Sequence, residues 1–126
     1  MGIANERSIA WGIAHEAYQN GAKLCLTYQN ELFKERIYKL ASTVDCNFVL
    51  NCDVENLSDI KKLFDEVSSL WGEIDFIVHA MAFSDKNELK GEFYNTTKEN
   101  FNKTMLISSF SLTEICKEAQ SLMNKN

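Results

Sequence analysis

Gly2 and Ser8 frame a short segment, Ile3-Ala4-Asn5-Glu6-Arg7, whose residue types could hold an anion. A glycine at that point suits a turn needing positive φ or a close approach of backbone to a ligand. Ser8 stands where it can cap a helix beginning at Ile9. In a glycine-rich strand–helix turn, backbone N–H groups and the helix dipole converge on a pyrophosphate. A single glycine keeps little of that pattern, and on residue types alone the same pair also makes an ordinary loop. Asp53 ends an apolar run and is open to two readings, a ligand contact or a solvated turn acid. His79 interrupts another apolar run and reads as a hydrogen-bonded core histidine rather than a base, while His15 reads as a surface residue. Cys25, Cys46, Cys52 and Cys116 form no C-x-x-C pair and have no histidine beside them. They read as four reduced, buried thiols, and no metal site is expected.

Positioning these groups requires elements, and the apolar spacing supplies them. Ile9, Ala10, Ile13, Ala14 and Ala17 recur at helical spacing and stop at Gly21. Ala22 to Tyr28 reads as a buried strand. A helix follows from Glu31 to Ser42, with Leu32, Phe33, Ile37 and Leu40 inward, and then a strand over Asn47 to Val54. Asn56 and Ser58 offer caps for a helix carrying Ile60, Leu63, Phe64, Val67, Leu70 and Trp71, stopped by Gly72. Ile74 to Ala82 reads as a third strand. A polar loop spans Ser84 to Asn95. Thr96 with Glu99 makes a capping box opening a long helix through Phe101, Met105, Leu112, Ile115 and Ala119. Alternating helices and near-continuous apolar strands predict a doubly wound α/β fold with a parallel sheet.

Bulk properties narrow the function classes. The 126 residues fit one domain or a piece of one, and 45% apolar with 25% charged residues is ordinary for a globular protein. Thirteen basic against eighteen acidic side chains leave a net charge of −5, which argues against nucleic acid as the partner. The longest apolar stretch, near Ile74 to Phe83, is far below the ~20 residues of a membrane helix, and no signal peptide is visible; a cytoplasmic chain is expected. The sequence has no proline, so glycines and helix caps must mark its boundaries.

The wording of the segments adds what their types do not. Gly2-Ile3-Ala4-Asn5-Glu6-Arg7-Ser8-Ile9-Ala10-Trp11-Gly12-Ile13-Ala14 closely resembles the nucleotide loop of bacterial NADH-dependent enoyl-acyl carrier protein reductases. These are divergent short-chain dehydrogenase/reductases in which a serine, here Ser8, replaces the last glycine of the superfamily motif. The similarity continues through Leu26-Thr27-Tyr28-Gln29-Asn30, Cys52-Asp53-Val54, Trp71-Gly72, Asp75-Phe76-Ile77-Val78-His79-Ala80, Phe83 to Gly91, Ile107 to Ser111 and Leu122-Met123. It spans essentially the whole chain, in order.

That resemblance implies roles. Gly2, Ser8 and Ile9 would hold the pyrophosphate and adjoining ribose, and Gln29 would lie by the adenosine ribose. Asp53 and Val54 would flank the adenine. Ala80 and Met81 would approach the far ribose and nicotinamide, and Ser84 would meet the acyl substrate. The dinucleotide rule expects an acid at the adenosine ribose; this chain has Gln29, with Glu31 two residues on, so NADH is implied by the resemblance alone. Core packing is the competing reading of Met81 and Phe83, as is an ordinary loop for Gln29.

The resemblance also implies a Rossmann-like fold that is incomplete. The chain would be one partial dinucleotide-binding domain over residues 1–126, with the first strand and the C-terminal half missing. The absent first strand would lie between the Leu24–Thr27 strand and the Ile74–Ala82 strand, which would lose both neighbours. The family's catalytic tyrosine and lysine would lie beyond Asn126, so no catalytic residue is assigned here. The substrate implied is an enoyl-acyl carrier protein, and the complete enzyme would be a homo-oligomer, a tetramer. The alternative is a non-catalytic nucleotide-binding or subunit-interaction module, whose long helix from Phe101 to Met123 would dock on a partner. A third reading, a short-chain reductase acting on a hydroxyl or ketone, is disfavoured by Ser8 and by Phe83-Ser84-Asp85-Lys86.

Overall fold

The computed structural model describes residues 1–124. Helix α1 (Ile9–Gln19) leads through a positive-φ turn at Gly21 into strand β1 (Cys25–Tyr28). Helix α2 (Glu31–Ser42) starts where Asn30 Oδ1 accepts a hydrogen bond from Leu32 N, and it is followed by β2 (Phe48–Asn51). Helix α3 (Leu57–Trp71) starts in the same way, with Asn56 accepting from Ser58 N, and ends at Gly72. After a long irregular stretch and one 3₁₀ turn at Phe93–Asn95 come α4 (Lys98–Met105), a π-helical turn (Leu106–Phe110) and α5 (Ser111–Ala119).

β1 and β2 pair in parallel, Cys25 opposite Phe48 through Tyr28 opposite Asn51. Side chains alternate across a strand, and here each face meets its own core. Leu26, Tyr28 and Val49 pack with Ala10, Trp11 and Ala14 of α1 and Ile37 and Ala41 of α2. On the other face Cys25, Phe48 and Leu50 pack against a core holding Ile60, Leu63, Phe64 and Val67 of α3 and Ile115 and Ala119 of α5. Helices therefore cover both faces, the doubly wound α/β arrangement expected from the alternation. Burial of each of those α3 side chains contributes about 1.5–3 kcal/mol, which holds α3 against the sheet. Phe48 also meets Trp71 edge-on, with ring centroids 5.4 Å apart.

The expected third strand over Ile74–Ala82 is corrected: no strand forms there. Its backbone finds partners at two points. Ile74 bridges Met123 in parallel, donating to Leu122 O and accepting from Asn124 N, each at 2.8 Å. Further on, the Met1 nitrogen donates to Val78 O at 2.8 Å and Ala80 N donates to Met1 O at 3.2 Å. Bonding of one residue to the two neighbours of another is the parallel pattern, so Met1 stands opposite His79. A strand persists when its ladder is continuous, and here the ladder is reduced to one rung at either end.

Smaller expectations shift as well. Leu32 is 88% exposed and Leu70 63% exposed, whereas Ala41 is buried; each lies at the margin of an apolar stripe. Cys116 is exposed, unlike Cys46 and Cys52. The long helix is capped by Thr97, not Thr96, and it ends at Ala119 rather than Met123.

Candidate dinucleotide site

At α1 the cap residue leaves the helix mouth open. Ser8 adopts extended φ and ψ of −69° and 142°, but its side chain makes no capping bond. Instead Ser8 Oγ donates to Asn5 O at 2.6 Å, and Ser8 N donates to the same carbonyl at 3.1 Å. Arg7 N donates to Asn5 Oδ1 at 2.8 Å, so Asn5 organises the whole bend. Trp11 N and Gly12 N bond back to Ser8 O, at 3.0 and 3.2 Å. No acidic side chain occupies the first turn. The first N–H groups of a helix carry its positive end, and here neither a cap nor a carboxylate covers them. Ile9 projects outward, 79% exposed. Arg36 of α2 braces the bend from outside, donating from Nη1 to Ala4 O at 3.0 Å.

Gly2 joins this bend to the region where the third strand was expected. Its φ is +98°, and a Cβ there would collide with Ala80 O and lie 3.0 Å from Met81 N. Three expected site residues, Gly2, Ala80 and Met81, are thereby brought together. Only a residue without a side chain fits.

A second pair converges at the C-terminal ends of the strands. Gln29 Nε2 donates to Asp53 Oδ2 at 3.3 Å in an exposed position. Asp53 Oδ1 accepts from Glu55 N at 3.1 Å, and Asp53 N donates to Asp59 Oδ2 at 3.2 Å. The Asp53 carboxylate is thus held by a turn rather than left to rotate, while Val54 beside it is buried. Ligands of open α/β sheets gather beyond the carboxyl ends of the strands, and that is where Gln29 follows β1 and Asp53 follows β2.

Ser84 belongs to a third group. Asn100, buried in the first turn of α4, donates from Nδ2 to Ser84 Oγ at 3.1 Å and accepts from Asp85 N at 2.9 Å. Thr97 Oγ1 accepts from Asn100 N at 3.1 Å and donates to Glu88 Oε1 at 2.7 Å, while Thr97 N donates to Glu88 Oε2 at 2.9 Å. These two bonds from Thr97 hold the Glu88 carboxyl below its usual range. Phe83 N donates to Ser108 Oγ in the π-helical turn at 3.0 Å. Asn100 and Ser108 were not legible as site residues, because a polar side chain on a helix reads as solvent-facing until its partners are known. The capping box pattern was the nearest signal, one residue out of register.

His79 is tied to the buried Ser111, Nε2 to Oγ, at 2.8 Å. Ser111 Oγ already donates its hydrogen to Ile107 O at 2.7 Å, so it accepts from His79, which fixes the Nε2–H tautomer. Burial pulls the His79 pKa below its ordinary value. This is a structural histidine. Burial acts oppositely on Cys25 and Cys52, pushing both thiols up to about 12.

Comparison with known proteins identifies the family. Residues 2–126 match the family described as Enoyl-(Acyl carrier protein) reductase. The NADH-dependent enoyl-[acyl-carrier-protein] reductase 2 of Rhizobium meliloti (strain 1021) is 50% identical over 125 residues, 99% of this chain and 47% of the relative. The crystal structure of FabI from Candidatus Liberibacter asiaticus superposes with a TM-score of 0.94 at 49% identity, covering 97% of this chain and 47% of the other. The enoyl-(acyl-carrier-protein) reductase of Anaplasma phagocytophilum, solved in complex with NAD, gives a TM-score of 0.92 at 43% identity, covering 96% and 46% of the two chains. The fold is therefore α/β and Rossmann-like, and the chain spans about half the length of the curated relatives it matches. No helix among the described residues is long and apolar enough to cross a membrane. With Gly2 seated on Ala80, an uncapped helix mouth at Ser8, and near-complete coverage of this chain by such relatives, the chain belongs to the enoyl-(acyl carrier protein) reductase family.

Proposed function

We propose that residues 1–126 form the partial dinucleotide-binding domain of an NADH-dependent enoyl-acyl carrier protein reductase, the enzyme of the last step of fatty acid elongation. In this reading Gly2, Ser8 and Ile9 present backbone to the pyrophosphate. Gln29 meets the adenosine ribose, Asp53 and Val54 flank the adenine, and Ala80 and Met81 border the far ribose and nicotinamide. Ser84, set by Asn100, faces the acyl substrate. The observation that carries the reading is the uncapped N-terminus of α1 beside a glycine whose side-chain space is filled by Ala80. Such a turn admits a phosphate where a larger residue or a carboxylate would exclude it.

A nicotinamide held there would supply the reducing equivalent. The residues of this chain bind and orient it, and none is assigned as the acid that stabilises the developing enolate. In this reading that tyrosine and its supporting lysine belong to the half of the relatives that this chain does not span. The substrate is an enoyl-acyl carrier protein thioester. The exposed apolar residues Phe101, Met105, Leu106, Phe110 and Leu112 of the α4–α5 region fit a subunit contact in a homo-oligomer of the complete enzyme, and a cytoplasmic location fits that metabolism.

NADH titration followed by nicotinamide fluorescence tests the reading, with Gly2→Ala as the control. Saturable binding that the substitution weakens supports it. Absence of binding by the chain, when a full-length relative binds under the same conditions, refutes it for this polypeptide.

A further inference from the structure

Asn20 is the only asparagine of the sequence followed by glycine, and the pair closes α1. Both residues are exposed, and nothing lies within 4 Å of the place a Cβ would take on Gly21, so solvent surrounds the pair. The helix ends there in two bonds: Ala22 N donates to Ala17 O at 3.0 Å and Gly21 N donates to Tyr18 O at 2.9 Å. That is the Schellman arrangement, which favours glycine at the position Gly21 holds with its φ of +86°. The Asn20 side chain is tied as well, Nδ2 donating to Glu16 O at 2.9 Å and to Glu16 Oε1 at 3.0 Å.

We propose that Asn20-Gly21 is a deamidation site kept closed by this cap, converting to aspartate and isoaspartate when the last turn of α1 opens. The nucleophile is the Gly21 nitrogen. It gives up its proton to hydroxide and bonds to Asn20 Cγ; the Cγ–Nδ2 bond breaks, and Nδ2 leaves as ammonia after taking a proton from water. Water then opens the cyclic imide, at Cγ to give aspartate or at the backbone carbonyl carbon to give isoaspartate. One water enters and one ammonia leaves, with no oxidant, reductant or enzyme required. Glycine suits the step because it has no side chain to crowd the attacking nitrogen.

In the closed cap neither reacting group is available. The Gly21 proton is held by Tyr18 O, and Nδ2 is held against the helix by Glu16. Opening of the last turn releases both together, and helix ends open at low free-energy cost. The product then resists closing. Its carboxylate has no hydrogen to donate to Glu16, and it brings negative charge to the negative end of a helix. Isoaspartate also lengthens the backbone by a methylene inside the two Schellman bonds. Each conversion at Asn20 therefore weakens the cap that suppressed it. Asn30 and Asn56 precede Glu31 and Leu57 and are themselves engaged as caps of α2 and α3. The inference stands apart from the cofactor reading, because it concerns the end of α1 away from Ser8.

The test incubates the chain at mildly alkaline pH, in buffer and in strong urea, and follows the tryptic peptide Ser8–Lys23, in which Asn20 is the sole asparagine. Peptide mapping should show aspartate and isoaspartate forms growing at Asn20, at least ~10-fold faster in urea, the factor expected when hydrogen bonds of ordinary strength must break first. Hydroxylamine, which cleaves the cyclic imide, should cut the urea-treated chain between Asn20 and Gly21. Asn20→Asp, the product made directly, should exchange its Gly21 and Ala22 amide hydrogens several-fold faster than the parent chain. Equal rates in buffer and urea, no product at Asn20 in urea, or unchanged amide exchange in Asn20→Asp would overturn the inference. The comparison of buffer with urea needs no variant, so it decides the matter even if Asn20→Asp folds poorly.

Discussion

Gly2 sits against Ala80 so closely that the Ala80 carbonyl already fills the space a Cβ would need. The contact binds the start of the chain to the end of the 74–80 segment, across which Met1 also exchanges hydrogen bonds with Val78 and Ala80.

Gly2→Ala should therefore be disruptive twice over. An L-residue at φ of +98° is strained by about 1–2 kcal/mol, and the methyl must displace Ala80. A lowered melting midpoint and roughly tenfold weaker NADH binding are expected, read by thermal denaturation and fluorescence titration. A variant with unchanged affinity would remove Gly2 from the site.

Asp53→Ala addresses the adenine end. The substitution deletes the acceptor of Gln29 Nε2 and of Glu55 N, each bond being worth about 1 kcal/mol net. NADH affinity should fall about tenfold with little change in the melt of α1. If adenosine monophosphate competes equally well against both proteins, the assignment fails.

Ser111→Ala should cost about 1–3 kcal/mol, because His79 Nε2–H would lose its acceptor in a confined place. The pH response follows from the lowered His79 pKa. Below about pH 6.5 the unfolded chain holds more protons at this group than the folded one, so its contribution to stability declines as pH falls through that value. Urea melts at pH 7.5 and 5.5 check the sign; greater stability at the lower pH would contradict it for this group.

The thiols predict the opposite response in alkali. Cys25 and Cys52 are raised from 9.0 to about 12, so the folded chain keeps protons that the unfolded chain releases. Their contribution is complete below about pH 9 and drains away between pH 9 and 12. At neutral pH, Cys116 should react with a water-soluble maleimide well before the other three, as resolved by peptide mapping; early labelling of Cys25 would show that β1 opens readily.

Legibility in the sequence tracked how local the cause was. α3 could be read from spacing because Ile60, Leu63, Phe64 and Val67 all face one core, and Asn56 and Gly72 mark its ends chemically. Leu32 misled because a stripe's margin looks like its centre in one dimension. Ile74–Ala82 has the composition of a strand, but a strand exists through partners, and composition does not reveal where those partners stop. Gln29 and Asp53 meet across 24 positions of sequence, and residue types alone left both open; the family wording singled them out. Asn100 and Ser108 stayed hidden for a related reason: their roles depend on Phe83, Ser84 and Asp85, which reach them only after the loop has folded.

The wide turn at Leu106–Phe110 has a consequence for how such chains can tolerate change in length. Each residue of an α-helix advances about 100° around the axis, so removing one position from that turn, as an ordinary helix would, swings everything beyond it by about a quarter of a revolution. Ile115 and Ala119 would rotate off α3, and Ser111 would leave His79. Single-codon deletions there should be purged, while the exposed stretch from Leu89 to Glu92, which carries no such rotational phase, can gain or lose a residue at much smaller penalty.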